Sequence, residues 1–404
     1  MHARWFYGWN VVAAVFVMAM VSFGLGFSGM AVYVETLQRL HGWPAGTVSA
    51  PVTVYYLAGA LVTMAIGDIY ARFGPRVVVM LGGAALAAGV AALGSVTRPW
   101  QLYPACLVMS LGWGALSGAA INIILAPWWQ RRRGLAVSLA FNGATLGGVI
   151  VAPALLLAIG ALGFPRAAWV AALVGSAVLA IVAAALRRGP AELGLGPDGD
   201  PAAAVAQPPA VVPGWRREAL RSWRFWSMSV PFALGLAAQV GVLTHLVALV
   251  TPALGTGGAA RVVSLGALMA VLGRLATGLI VDRVNRRLVA SATLVVQLAG
   301  VLVLANGDSP GAIYAGSVLF GLGIGNLTTL PALILAVEWP RERFAPLVAL
   351  AVGINQLTFA FGPSLVGVLR DVSGRYAPAL AACAVLQAIA AILVLCGPRR
   401  GARA

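Results

Sequence analysis

Apolar residues run along this chain in blocks of about 19 to 26 residues, separated by short stretches that gather arginine, glycine, proline and the few acids. A helix needs about 17 to 25 such residues to cross the hydrocarbon core of a bilayer. Twelve blocks qualify, at approximately 9–34, 46–66, 77–96, 101–126, 135–159, 167–186, 225–249, 260–281, 288–306, 312–337, 347–369 and 378–396. The pattern predicts an all-α membrane protein of twelve transmembrane helices. The first block is longer than the apolar region of a signal peptide, about 7 to 15 residues, and no cleavage site follows it; it is expected to stay as a span.

One polar stretch, 187–222, is much longer than the others and rich in Pro, Gly and Ala. It reads as a flexible linker between a six-helix half at 1–186 and a second at 223–404. The halves echo each other: GDIYARFGPR (67–76) follows the second block and GLIVDRVNRR (278–287) follows the eighth. Any tight loop collects Gly and Arg, but recurrence at matching places points to an internal repeat, a mark of many secondary transporters.

Composition agrees with the pattern, with 61% hydrophobic and 9% charged residues, against about 25% charged in a soluble domain. The net charge of +16 does not indicate nucleic acid, because the arginines fall in short clusters between apolar blocks and form no solvated face. There is no lysine, and of the 27 basic residues 20 fall on one side, six on the other, and Arg274 lies inside a block. The richer side, with both termini, is expected to be cytoplasmic. Cys106, Cys383 and Cys396 have unrelated spacings and suggest neither a disulfide framework nor a metal site. GLGFSG (24–29) has the spacing of a dinucleotide fingerprint but lies in an apolar block with no strand before it; its small residues are expected to permit close helix packing. No nucleophile–base pair, metal cluster or nucleotide-binding loop suggests an enzyme, and no cofactor is expected.

Arg274 is the residue that asks for a function. A guanidinium at the centre of a membrane helix costs about 2.5 to 3.5 kcal/mol even on the mild insertion scale. The positions sharing its helix face, Ala267, Ala270, Val271, Thr277, Gly278 and Val281, include no acid. All eleven acids of the chain fall in loops or near block ends. A carboxylate fits the guanidinium fork through two charge-assisted hydrogen bonds, so Arg274 is expected to bind an anionic substrate; backbone carbonyls or water could also satisfy it. Asn326 with Thr329, Asn355 with Gln356, and Asn142 are further polar groups within blocks, able to line a cavity or to bond neighbouring helices. His245, near the outer end of the seventh block, suits a gate or proton relay, and equally an interfacial hydrogen-bonder.

Twelve blocks, a central loop and a G-x-x-x-D-R-x-G-x-R-like loop after blocks two and eight resemble the major facilitator superfamily over nearly the whole chain. That resemblance implies two six-helix halves, alternating access and a cavity lined by helices one, four, seven and ten, adding Ser28, Asn122 and Gln239 as substrate contacts. It also implies a cytoplasmic latch of Asp282, Arg283 and Arg287, with Asn285 in the usual glycine's place. The first-half copy would use Asp68, Arg72 and Arg76, although Ala71 stands at the usual acid position. WFYGWNVVAA (5–14), WWQRRRGLAVSLAFNGATLGG (128–148) and HLVALVTPALG (245–255) resemble the monocarboxylate transporter branch and its bacterial relatives, including oxalate/formate antiporter-like proteins. In that branch an arginine of the eighth helix pairs with the substrate carboxylate, and Arg274 in GRLATG matches it. Ala270 replaces an acid, and Ser28 stands near a lysine, that the animal members tie to proton coupling. Relatives often carry an aromatic residue near Gly118, so the pocket is expected to be roomier and the acid larger than lactate.

The expected activity is secondary transport of a small organic anion, a monocarboxylate of the lactate or pyruvate kind or a larger aromatic acid, across the inner membrane, with proton symport as an option. The expected partners are the substrate, protons and the lipid bilayer; the protein is expected to work as a monomer. Export of drugs or sugars on the same fold is the alternative, and a non-transporting membrane sensor a further one.

Overall fold

The computed structural model describes residues 6–200, 215–281, 283–307 and 309–397, and these fold into helices. Without water to satisfy peptide groups, a chain this apolar must close its hydrogen bonds within each segment, which is what a helix does. Among the described residues ten helical stretches are long and apolar enough to cross a bilayer: Gly8–His41, Ala45–Gly94, Pro99–Leu125, Leu135–Leu162, Phe164–Ala185, Trp223–Ile280, Arg286–Asn306, Pro310–Glu338, Leu350–Ser373 and Ala377–Cys396. Two of them are double. The 50-residue and 58-residue stretches would be about 75 to 87 Å long if straight, far more than a hydrocarbon core of about 30 Å. Each turns back at a glycine with positive φ, Gly74 at 78° and Gly255 at 67°, a conformation open to glycine at little steric cost. Twelve spans result, as the apolar pattern predicts, and they are numbered in chain order below.

The chain divides into two compact units, one comprising Met1–His41 and Val54–Gln207, the other Gly42–Thr53 and Pro208–Ala404. In the first unit the first and fifth spans cross closely. A methyl group on Gly143 would strike the Phe16 carbonyl oxygen, and one on Gly147 the Met20 carbonyl oxygen. Both spans loosen into a π-helical turn, Gly24–Ser28 in one and Gly147–Val151 in the other. The fourth span is broken: its helix stops at Ala115, Ser117 is extended (ψ 179°), and a new helix starts at Gly118.

The stretch expected to be a flexible linker is ordered over its first part. Residues 190–193 and 197–199 form 3-10 turns that dock on the WWQRRR loop. Asp198 accepts hydrogen bonds from the N–H groups of Gln130 (3.1 Å) and Arg131 (2.9 Å), and its own N–H donates to the Trp128 carbonyl at 2.9 Å. The Arg131 guanidinium holds Asp200 at 2.8 and 2.7 Å. Phe6, Tyr7 and Trp9 pack their rings on Trp128 and Trp129 beneath. Proline and glycine content suggested flexibility; Asp198 and Asp200, bonded to the 130–132 backbone and the Arg131 guanidinium, fold this part into a clip instead.

In the second unit the start of the second span, Gly42–Thr53, is held by the eleventh. Asp371 accepts from the N–H groups of Ala45 (2.8 Å) and Gly46 (2.5 Å), and the hydroxyls of Thr53 and Ser364 are 2.7 Å apart. A carboxylate there satisfies two of the orphan donors of a helix N-terminus.

Candidate functional site

Arg274 stands where the eighth span crosses the tenth. The crossing is close because both helices carry glycine: a methyl on Gly273 would strike the Leu322 carbonyl oxygen, and one on Gly321 would come within 2.8 Å of the Gly266 carbonyl oxygen. The half-buried Arg274 side chain lies over Gly325, where a Cβ would be 2.9 Å from Nη2 and 3.0 Å from Nε. At Gly325 the regular hydrogen bonding of the tenth span is interrupted, while its backbone angles remain helical (φ −67°, ψ −28°). Asn326, the next residue, is buried and donates from Nδ2 to the carbonyl oxygens of Gly273 (3.4 Å) and Leu322 (3.3 Å). The Thr329 hydroxyl donates to the backbone carbonyls of Gly325 and Asn326 one turn away. The structure thus brings Arg274, Asn326 and Thr329 to one crossing.

The remaining predicted contacts scatter. Asn355 and Gln356 are buried on the eleventh span, and Asn355 Oδ1 has no hydrogen-bond partner among the described residues. Gln239 is engaged elsewhere. Its Oε1 accepts from Gln297 Nε2 at 2.6 Å, and Gln297 Oε1 accepts from Gln387 Nε2 at 3.2 Å, a buried amide chain across the seventh, ninth and twelfth spans. The residue is 2% exposed and spends its carboxamide oxygen inside the bundle. In the first unit Ser28 is half-buried in the π-helical turn, and Asn122 spends its amide on the Gly118 carbonyl at 3.0 Å. Asn142 is exposed in a groove between the first and fifth spans, beside Trp9, Ala13, Phe16 and Leu139. The space expected beside Gly118 is taken by Phe141, whose ring lies 3.0 Å from where a Cβ would be. That removes the argument from Gly118 for a larger substrate.

An aromatic group that periodicity could not single out packs inside the first unit. Phe27 stacks on Trp113 (centroids 5.9 Å apart, 17° between planes), with Phe23, Tyr55 and Tyr56 around them. The Tyr55 hydroxyl donates to the Gly26 carbonyl at 2.8 Å, inside the π-helical turn.

His245 is buried. Its Nε2 is 3.1 Å from the Pro363 carbonyl and its Nδ1 3.3 Å from the Tyr376 hydroxyl. The carbonyl can only accept, so Nε2 carries a proton; in the neutral ring Nδ1 then accepts from Tyr376. The residue joins the seventh, eleventh and twelfth spans.

The latch residues part company. Asp282 lies outside the described residues, Arg283 is exposed, and Arg287 is buried and points away from that loop's surface. Its Nε and Nη2 clasp Glu338 at 2.6 and 2.8 Å, and its Nη1 donates to the carbonyls of Ser227 (3.1 Å) and Val394 (2.9 Å). Glu338, at the end of the tenth span, was in plain sight as an acid near a block end; the distance in sequence hid its partner. Asn285 replaces the usual glycine without strain because its φ is −59°, and its side chain caps the ninth span by accepting from the Arg287 N–H at 2.9 Å. In the first-half loop Asp68, Arg72 and Arg76 are exposed, and the Arg72 guanidinium lies 5.3 Å from the Phe73 ring centroid.

Comparison with known proteins agrees with this architecture. The family model of the Major Facilitator Superfamily matches residues 11–343 and 250–403. Monocarboxylate transporter 11 of Mus musculus is 28% identical over 93% of this chain and 84% of its own length. The oxalate:formate antiporter of Oxalobacter formigenes is 31% identical over a shorter part, 36% of this chain and 33% of its own. Among solved structures the nucleoside transporter NupG superposes with a TM-score of 0.75 at 12% identity, over 96% of this chain and 99% of its own, which speaks to the fold alone. A chain of twelve apolar spans in two units, matched from residue 11 to residue 403, is a multi-pass membrane transporter with a small-molecule substrate, and it belongs to the Major Facilitator Superfamily.

Proposed function

We propose that this transporter moves small organic anions, monocarboxylates first among them, across the cytoplasmic membrane by alternating access, with the Arg274 guanidinium holding the substrate carboxylate. The observation that carries the reading is the setting of Arg274: a permanent cation inside a span, laid over a glycine at the interrupted turn of the neighbouring helix, beside Asn326 and Thr329. A group that is costly to insert is placed where the neighbouring helix carries no side chain to crowd it, at Gly325. The named activities of two relatives, a monocarboxylate transporter and an oxalate:formate antiporter, concern anions of this chemistry. Asn355 and Gln356 are further candidates for the same substrate. The arginine-rich ends, with both termini, face the cytoplasm in this reading, the six-helix halves 1–186 and 223–404 alternate as one monomer, and proton symport is one coupling mode.

The test is uptake into proteoliposomes loaded with the purified protein. Labelled lactate, pyruvate and larger aromatic acids should enter, and Arg274→Ala and Arg274→Lys should each lose most of that uptake, because a lysine offers a point charge in place of a planar fork. Arginine variants that carry every accepted acid as well as the parent would sink the assignment. So would uptake of nucleosides, sugars or cationic drugs with carboxylates ignored.

A further inference from the structure

Asn326 holds a polar atom that carboxylate binding at Arg274 leaves unexplained. The residue is 3% exposed, and Nδ2 faces two carbonyl oxygens, those of Gly273 and Leu322. Two acceptors on that side fix the amide's orientation, since the opposite flip would set oxygen against oxygen. Oδ1 is thereby turned to a buried place where no described residue donates to it. The nearby Thr329 hydroxyl is committed to backbone carbonyls. A buried acceptor left unmade is a cost to the fold, and this one sits at the crossing that positions the guanidinium. Asn326 bonds to Gly273, the residue before Arg274; Arg274 lies over Gly325, the residue before Asn326.

We propose that Asn326 is the specificity-determining residue of the site, its carboxamide oxygen accepting a hydrogen bond from a hydroxyl carried next to the substrate's carboxylate. The inference rests on the reading of Arg274 as the carboxylate anchor. A 2-hydroxy acid supplies in one small molecule an anion for the fork and a donor for the amide. An unsubstituted acid puts a methylene there and leaves Oδ1 unmet. A 2-oxo acid brings a second acceptor and sets it against the first. A site built around a substrate hydroxyl discriminates against analogues that lack it because its own polar group is then stranded.

The experiment is competition for uptake in proteoliposomes by two matched series: lactate, propionate and pyruvate, then mandelate, phenylacetate and phenylglyoxylate. The hydroxy acid of each series is expected to compete about 5- to 10-fold more strongly than the unsubstituted acid, the size of one net hydrogen bond, with the 2-oxo acid weakest. Asn326→Leu should level the three while all still compete, and Arg274→Ala should lose uptake of the labelled acid itself. Equal ranking in the parent overturns the inference and leaves Arg274 its role; an Arg274→Ala protein that competes like the parent defeats the anchor reading itself. The parent's ranking needs no variant, so the proposal stays decidable even if Asn326→Leu folds poorly. Asn326→Asp is the second variant. A carboxylate placed there should compete for the guanidinium and weaken all three acids, and unchanged competition would count against the placement.

Discussion

Arg274 and Arg287 stand on consecutive spans of the same unit, and their surroundings give them opposite duties. Arg287 is wrapped by protein: Glu338 takes two of its donors and backbone carbonyls take others, with side-chain exposures of 6% and 17% for the pair. Removing one partner of such a pair strands the other, at about 3 to 5 kcal/mol, whereas replacing both by apolar residues is often neutral. Glu338→Ala is therefore expected to lower the melting temperature of the detergent-solubilised protein sharply, and Arg287→Met combined with Glu338→Leu to restore most of it. A double variant no better than the single one would show that the clasp is not the cause. The linker clip poses a similar question at Asp198, whose φ of 58° is left-handed, a region that Asn and Asp tolerate better than Ala. Asp198→Asn should melt near the parent and Asp198→Ala below it by about 2 kcal/mol, the sum of a strained backbone and lost charge-assisted bonds. Equal melting of the two would refute that account. Sequence alone identified Arg274 as unusual because the cost of a charge depends on depth, which apolar blocks reveal. It assigned Arg287 to the loop and gave Asp198 no partner, because Glu338 and the 130–132 backbone are brought to them by folding and not by spacing.

Helices and their joints were the most legible level, since the length of an apolar block is itself the physical requirement for spanning. The count of twelve and the joints near 67–76 and 250–259 follow from that. What the blocks could not announce is how each helix departs from regularity. π-helical turns in the first and fifth spans and the break at Ser117 change hydrogen-bond partners without changing hydropathy. The repeat is also clearer in the backbone than in the letters. Gly42 and Gly255 both have φ of 67° at the joints after the first and seventh spans, and Gly163 and Gly374 have 78° and 72° after the fifth and eleventh. Within a span, glycines divide by what they touch. Gly273 and Gly278 flank Arg274, yet a methyl at 273 would collide with the Leu322 carbonyl while one at 278 meets nothing within 4 Å. Gly273→Ala should force the eighth and tenth spans apart and cost uptake as well as thermal stability. Gly278→Ala should leave stability equal or raise it by up to about 1 kcal/mol, the helix preference of alanine over glycine. Matching losses at the two positions would mean that packing at the crossing is not what Gly273 provides.

At the scale of the molecule the open question is energy coupling, and the acids constrain it. Glu35 pairs with Arg39, Asp198 and Asp200 belong to the clip, Glu338 to Arg287 and Asp371 to the helix start at Ala45. Asp68 and Glu218 are exposed, and Glu192 accepts from the Arg188 N–H. Among the described residues no carboxyl stands beside Arg274 on its own helix face, where Ala270 and Gly278 lie one turn to either side. Two proton routes are to be told apart, entry with the substrate and passage through His245, a buried imidazole with both nitrogens hydrogen-bonded. The two routes separate in one measurement. With an inward acid gradient imposed on proteoliposomes, lactate uptake should accelerate and a protonophore should remove the acceleration. His245→Gln removes the titratable ring but keeps an amide able to bond Pro363 or Tyr376. If the substrate brings its own proton, the variant should keep the gradient response at a reduced overall rate. A variant that still exchanges lactate for lactate but has lost all response to the gradient would instead make His245 the relay. A parent indifferent to the gradient would reduce the cycle to exchange or uniport, driven by the organic anion alone.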